Sequence, residues 1–154
     1  MPPGITDIEY VVAAYDSELA YMDACIARIL ARVEELGLAG NTLIIVTSDH
    51  GETLNEHDCY FDHHGLYEPT LRVPLIFCLP GRVPQGLRLP YYTLLEDQLP
   101  TILDMLGLNK ALKSGKFDGR SLVPLIEGRG KPIRSEFYIS ECTWMRKRGW
   151  RTPQ

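Results

Sequence analysis

Apolar residues at Ile8, Val11, Val12, Tyr15, Leu19, Met22, Ile26, Ile29, Leu30, Val33 and Leu36 recur at intervals of three and four. That spacing puts them on one stripe of a helix with 3.6 residues per turn and predicts a long amphipathic helix over 7–36. Thr6 or Asp7 can cap its start by accepting a hydrogen bond from a first-turn amide, and Gly37 offers the left-handed conformation on which helices often end.

The period then changes. Residues 42–47 and 73–79 are short runs with continuous apolar centres, without the alternation of a strand that has one wet face. Such runs suit strands covered on both sides, as in parallel sheets. Pro80 and Gly81 stop the second run, and 80–90 is a Pro/Gly-rich connection. Residues 95–106 predict a helix in which Pro100 is tolerable only in the first turn. Residues 109–135 look irregular apart from a helical turn at 122–126, and 136–140 predicts a third strand. Helix, strand, long loop, strand, helix is the order of an α/β sandwich.

Composition narrows the class. Hydrophobic residues make up 45% of 154, enough for a core, and a net charge of −4 with mixed signs offers no footprint for nucleic acid. The longest apolar runs fall far short of the ~20 residues of a membrane-spanning helix, so no membrane span is expected. The first residues lack a basic and an apolar region, so no secretory signal is read on this chain. Cys25, Cys59, Cys78 and Cys142 form no C-x-x-C pair, which disfavours a disulfide framework and tips location toward the cytoplasm. Cys25 and Cys78 read as small buried hydrophobes.

The candidate chemistry sits in the polar loop 48–68. Asp49 and His50 follow directly on the first buried strand, where ligands of open α/β sheets collect. A carboxylate oxygen and a neutral imidazole nitrogen both ligate divalent metals, and Gly51 lets the chain turn so that both can face one ion. All four histidines (His50, His57, His63, His64) fall within residues 50–64, beside Asp62. Either several act together, or they are surface histidines serving as hydrogen-bonding struts. Glu52 and Glu56 are either partners of histidines or a solvated loop face. Arg72, just before the second strand, suits bidentate bonding to a carboxylate of the site better than direct substrate contact.

In their order, these segments resemble the sulfatases: Thr-Ser-Asp-His-Gly-Glu at 47–52, Leu-Tyr-Glu-Pro at 66–69, Arg-Val-Pro-Leu-Ile at 72–76 and Asp-Gly-Arg-Ser-Leu at 118–122. The preceding helix, with Tyr15 and Asp23 before a glycine turn and Asn41-Thr42, is also similar to the family. The resemblance implies an alkaline-phosphatase-like sandwich with a mostly parallel sheet, present here incompletely. Residues 1–154 are expected to form the C-terminal part of the catalytic domain, with 136–154 starting a truncated C-terminal segment. The last eleven residues are crowded with Trp144, Trp150 and basic side chains, which fits either truncation or a solvated basic turn packed by two tryptophans.

The resemblance also implies roles. Asp49 and His50 would bind the metal, calcium in most sulfatases; an imidazole where many members have asparagine admits manganese or zinc and a phosphate or phosphonate ester. Counting back four residues from Tyr67 gives His63, with His64 its neighbour, as the group that stabilises the ester or protonates the leaving oxygen; Arg72 and Glu52 would support the residues touching the metal. The family's nucleophile is a formylglycine made from Cys-x-Pro-x-Arg, or sometimes from a serine; the expectation is that this chain carries neither that nucleophile nor the N-terminal aspartate pair that completes the metal site. The expectation is a sulfatase-type hydrolase of small sulfate or phosphate esters whose chain alone has little turnover. Phosphonate or phosphodiester hydrolysis is the alternative within the superfamily, and a non-catalytic binding module the alternative outside it.

Overall fold

The computed structural model describes residues 3–4, 6–142 and 146–152. The chain divides into two compact units, Met1–Thr42 and Leu43–Gln154.

The first unit is built on α1 (Ile8–Glu35), a helix of 28 residues. Asp7 is its cap: the carboxylate accepts from the amide of Glu9 at 2.9 Å. At the other end Gly37 takes φ 68°. Its amide donates to Glu34 O at 2.9 Å and that of Leu38 to Val33 O at 3.0 Å, the paired bonds by which a left-handed glycine satisfies the last carbonyls of a helix.

The second unit contains β1 (Ile44–Thr47), α2 (Glu68–Leu71), β2 (Leu75–Cys78), α3 (Gln98–Met105), α4 (Asn109–Ser114), α5 (Val123–Ile126), β3 (Phe137–Glu141) and β4 (Lys147–Arg151). β1 pairs with β2 and β3 with β4, both antiparallel, in registers running from Ile44↔Cys78 to Thr47↔Leu75 and from Phe137↔Arg151 to Glu141↔Lys147. The mostly parallel sheet expected from unbroken apolar runs is therefore not what these four strands form among the described residues. Strands that are apolar throughout report burial, not direction, and the connection of residues 48–74 brings β2 back beside β1.

The core explains why β2 alternates in burial although its sequence does not. Leu75 and Phe77 pack toward Met105 of α3 and Leu122, Val123, Leu125 and Ile126 in and beside α5, while Ile76 and Cys78 stay exposed. Cys78 is thus not the buried hydrophobe expected of it, and Cys25 is only half-buried. Pro100 lies in the first turn of α3, where its missing amide hydrogen leaves no helical bond unmade. The region 109–135 is more regular than expected, since α4 forms there. β4 was also not anticipated: Gly149 takes a place beside Ile139 in the hairpin. Trp150 on that strand is exposed, and Trp144 lies outside the described residues.

One buried ionic knot holds the middle of this unit together. Asp97 is fully buried. Its two oxygens accept from the amides of Leu94 and Arg120, each at 2.9 Å, and bind the guanidinium of Arg134 in a fork. Gly119 passes so close to the Glu96 carbonyl that any Cβ would collide with it.

Candidate functional site

β1 ends at Thr47, whose hydroxyl accepts from the Gln98 side chain at 3.1 Å, fixing the strand end against the start of α3. The chain then turns sharply. Ser48 Oγ donates to His50 O at 2.7 Å, and the His50 amide donates to Asp49 Oδ1 at 3.0 Å. Asp49 projects into solvent, its side chain 86% exposed. Its own amide, the amide of His50 and the nearby imidazole of His50 hold its carboxyl below the usual aspartate range. The other oxygen, Oδ2, lies 3.7 Å from His50 Nε2. His50 Nδ1 sits 2.9 Å from Gly51 O, an acceptor only, so Nδ1 is the nitrogen that donates there.

Gly51 is required by the turn. Its amide donates to Thr70 O at 2.9 Å, and a Cβ there would collide with the Pro69 carbonyl. The loop beyond is closed by a single antiparallel bridge between Thr53 and Asp62. Thr53 is wholly buried and donates both its amide, at 2.8 Å, and its hydroxyl, at 2.6 Å, to Asp62 O. An antiparallel bridge at 53 and 62 makes 52 and 63 the next facing pair. Accordingly His63 Nδ1 is 3.8 Å from Glu52 Oε2. The His63 ring stacks on that of His50 at a centroid distance of 4.3 Å and lies 4.6 Å from that of His64.

Four of the six residues to which the resemblance gives roles (His50, Glu52, His63, His64) therefore meet, with Asp49 at their margin. Asp62 Oδ1 arranges the last two, accepting from the amides of His63 at 2.7 Å and His64 at 3.2 Å. His57 stands apart, in a left-handed conformation with φ 58°, its ring stacked on Tyr67 at 4.2 Å. Arg72 is also apart: exposed at the C-terminus of α2, its guanidinium forms no ion pair among the described residues, so the expected bidentate bond is not made. Glu56 folds back on its own loop, its carboxyl held below the usual range by the amides of Glu56, Leu54 and Asn55.

Sequence reasoning missed the roles of Thr53 and of the basic strand β4. Lys147 lies over the Tyr67 ring, 5.1 Å from its centroid, and Arg151 pairs with Glu68, so both brace the Tyr67-Glu68 turn. The crowding of cations near the end of the chain was the available signal, but it named no partner.

The family model for sulfatases matches residues 3–108. The chain is 32% identical to human arylsulfatase D over 140 residues, covering 83% of this chain and 23% of the relative. It is 33% identical to the multifunctional alkaline phosphatase superfamily protein PehA of Trinickia caryophylli over 139 residues, covering 86% of this chain and 25% of that protein. A solved structure of a protein in complex with its substrate D-glucosamine-2-N,6-O-disulfate superposes with a TM-score of 0.75 at 32% identity, covering 87% of this chain and 28% of that one. The chain thus spans about a quarter of the length of these relatives.

Proposed function

The chain belongs to the sulfatase family, and we propose that it carries one side of the active site of a metal-dependent sulfuric ester hydrolase. The observation that supports this reading is the approach of Asp49 Oδ2 and His50 Nε2 to 3.7 Å at the carboxyl end of β1. In the complete domain we take β1 to belong to a larger, mostly parallel sheet of the alkaline-phosphatase-like sandwich, with this end opening on the substrate.

The donors fit a divalent cation. One carboxylate stays ionised, one imidazole is anchored through Nδ1 with Nε2 turned toward that carboxylate, and Glu52 Oε1 is buried with no hydrogen-bond partner. Bound there, calcium or a softer ion would draw negative charge from the oxygens of a sulfate group. Asp49 and His50 would hold it. His63, half exposed and backed by Glu52, would donate a proton toward a leaving oxygen, with His64 beside it. Arg72, exposed at the C-terminus of α2, would meet negative charge from outside the present cluster. Cys78-Leu79-Pro80-Gly81-Arg82 has the spacing of the formylglycine-forming motif, but Cys78 pairs with Ile44, at the end of β1 away from Asp49, so the chain by itself should not turn over.

A second reading, phosphonate or phosphodiester hydrolysis, is favoured by the imidazole at position 50 and by the similarity to a multifunctional phosphatase-superfamily protein. One experiment addresses both. The chain, alone and joined to the nucleophile-bearing segment of its reading frame, is assayed on matched aryl sulfate and aryl phosphonate esters with calcium or manganese. We expect no turnover from the chain alone, sulfate preference in the joined protein, and a loss of at least about 100-fold in kcat for Asp49→Asn. Full activity of that variant, or robust turnover by the chain alone, would refute the reading.

A further inference from the structure

We propose that the outer face of the β3-β4 hairpin is a binding platform for an anionic saccharide, with Tyr138 and Trp150 stacking on sugar rings and Arg148 taking a sulfate or carboxylate. Burial alternates along both strands, so Tyr138, Ser140, Arg148 and Trp150 share the exposed face. Tyr138 and Trp150 are directly opposed in the register, and their rings lie 6.2 Å apart at an inclination of 56°. They keep 52% and 60% of their surface open. Two aromatic rings side by side in water form a surface suited to a partner, since neither gains the burial that such residues ordinarily provide.

The opposite face of the hairpin is already engaged. There Lys147 covers the Tyr67 ring and Arg151 pairs with Glu68, so the strands are held from behind. At the open end Tyr92 donates its hydroxyl to Thr152 O at 3.1 Å and meets the Phe137 ring edge-on at 5.2 Å. The platform is therefore set before any ligand arrives, which keeps the ordering cost of binding low. Beside Trp150 opens a cavity of about 370 Å³, lined by Tyr92, Trp150, Arg151 and Thr152. It gives room for a further group of a ligand lying across the rings.

The chemistry of the face selects the ligand. A pyranose ring has an apolar C–H face that stacks on an aromatic ring, and hydroxyls at its rim that stay in water. Arg148 stands two residues from Trp150, about 7 Å along the strand. Its guanidinium is exposed and forms no ion pair among the described residues, which leaves its two-pronged grip open to a sulfate or carboxylate. Glu136 lies just before β3, at the Tyr138 end, so the anionic group belongs at the Arg148 end, where Arg146 is also exposed. An oligonucleotide would ask for a cationic groove that tracks successive phosphates, whereas this face offers cations at one end only. The platform needs no metal and no nucleophile and is independent of the hydrolase reading.

The chain has two tryptophans, so Trp144→Phe leaves Trp150 as the sole fluorescent reporter of the full chain. Its emission is followed during titration with a sulfated hexasaccharide, with the same saccharide after desulfation, and with oligothymidylate. A chelator keeps the candidate metal site empty, and calorimetry supplies the affinities. We expect the sulfated saccharide to bind with a shift in Trp150 emission, and desulfation to weaken it at least about fivefold through loss of charge-assisted hydrogen bonds. Trp150→Ala, Tyr138→Ala and Arg148→Gln should each weaken it by at least about the same factor, while Trp150→Phe, which keeps a ring, retains most of the affinity. Asp49→Asn should change it less than about twofold, being a separate site. Far-UV circular dichroism checks that each variant stays folded. The inference fails if the sulfated saccharide does not bind, or if Asp49→Asn removes binding that Trp150→Ala leaves intact. Tighter binding of oligothymidylate than of the saccharide would also overturn it. So would loss of self-association in Trp150→Ala by sedimentation, since a second copy of the chain would then cover the face. A negative ester assay would sink the hydrolase reading and leave the saccharide result standing.

Discussion

Gly51 shows how much of the site depends on one missing atom. Its φ is not left-handed, so conformational freedom is not the issue. The constraint is distance, because the backbone of residues 50–52 runs against the Pro69 carbonyl while the Gly51 amide bonds Thr70 O. A methyl group at this position must push the two segments apart. We expect Gly51→Ala to destabilise the second unit by about 1–3 kcal/mol, the usual cost of overpacking, read as a lower urea midpoint at unchanged m-value. It should also separate His50 from Glu52.

At the scale of elements, the Asp97 knot joins three stretches far apart in sequence, at 94–97, 119–121 and 134. Burial alone would raise the pKa of Asp97, but the Arg134 guanidinium and the amides of Leu94 and Arg120 outweigh it and leave the carboxyl below the ordinary range. A carboxyl whose pKa is lower folded than unfolded contributes stability that is complete above the unfolded pKa. That contribution is lost as pH falls through the folded value. Arg134 keeps its charge throughout, its pKa being raised chiefly by the hydrogen bond to Asp97. Asp97→Asn should cost about 3 kcal/mol at neutral pH, the lower end for a broken buried pair because the Arg134 side chain retains 13% exposure. The gap between parent and variant should narrow as acid is added, and denaturant melts at a series of acidic pH values measure it. The sequence offered no sign of this knot, since Asp97 and Arg134 are 37 residues apart and neither disturbs the local pattern. Periodicity did identify α1 with its cap, the strands β1 to β3 and the turn at α5, because each follows from neighbours within a few residues. It did not resolve strand direction, which depends on the path of the 48–74 connection, nor β4, whose Lys-Arg-Gly-Trp-Arg run has no apolar alternation. The histidines were legible as a group because four of one rare type fell in one loop. That Glu52 faces His63 was not, because it depends on the bridge at Thr53.

For the molecule as a whole, the balance of buried and exposed apolar surface decides behaviour in solution. The core of the second unit is a small cluster around α3 and α5, and among the described residues β1 and β2 pair only with each other. Each therefore keeps one edge whose amides and carbonyls have no strand partner. Ile76 stands beside these edges, 56% exposed on the face of β2 that points away from Leu75 and Phe77. An open edge with an apolar face is a template for pairing with another chain. We expect concentration-dependent self-association of this chain, and Ile76→Lys should oppose it by placing a hydrated charge where a second strand would dock. Fully burying an isoleucine is worth roughly 1.5–3 kcal/mol, and Ile76 has about half of its surface left to bury. Its loss, with the charge added, should weaken association about tenfold. Sedimentation velocity over a concentration series gives the comparison, with an unchanged far-UV spectrum showing that β2 still forms. Equal association of parent and variant would mean that the contacts lie elsewhere, and that the β1-β2 pair is protected despite its open edges.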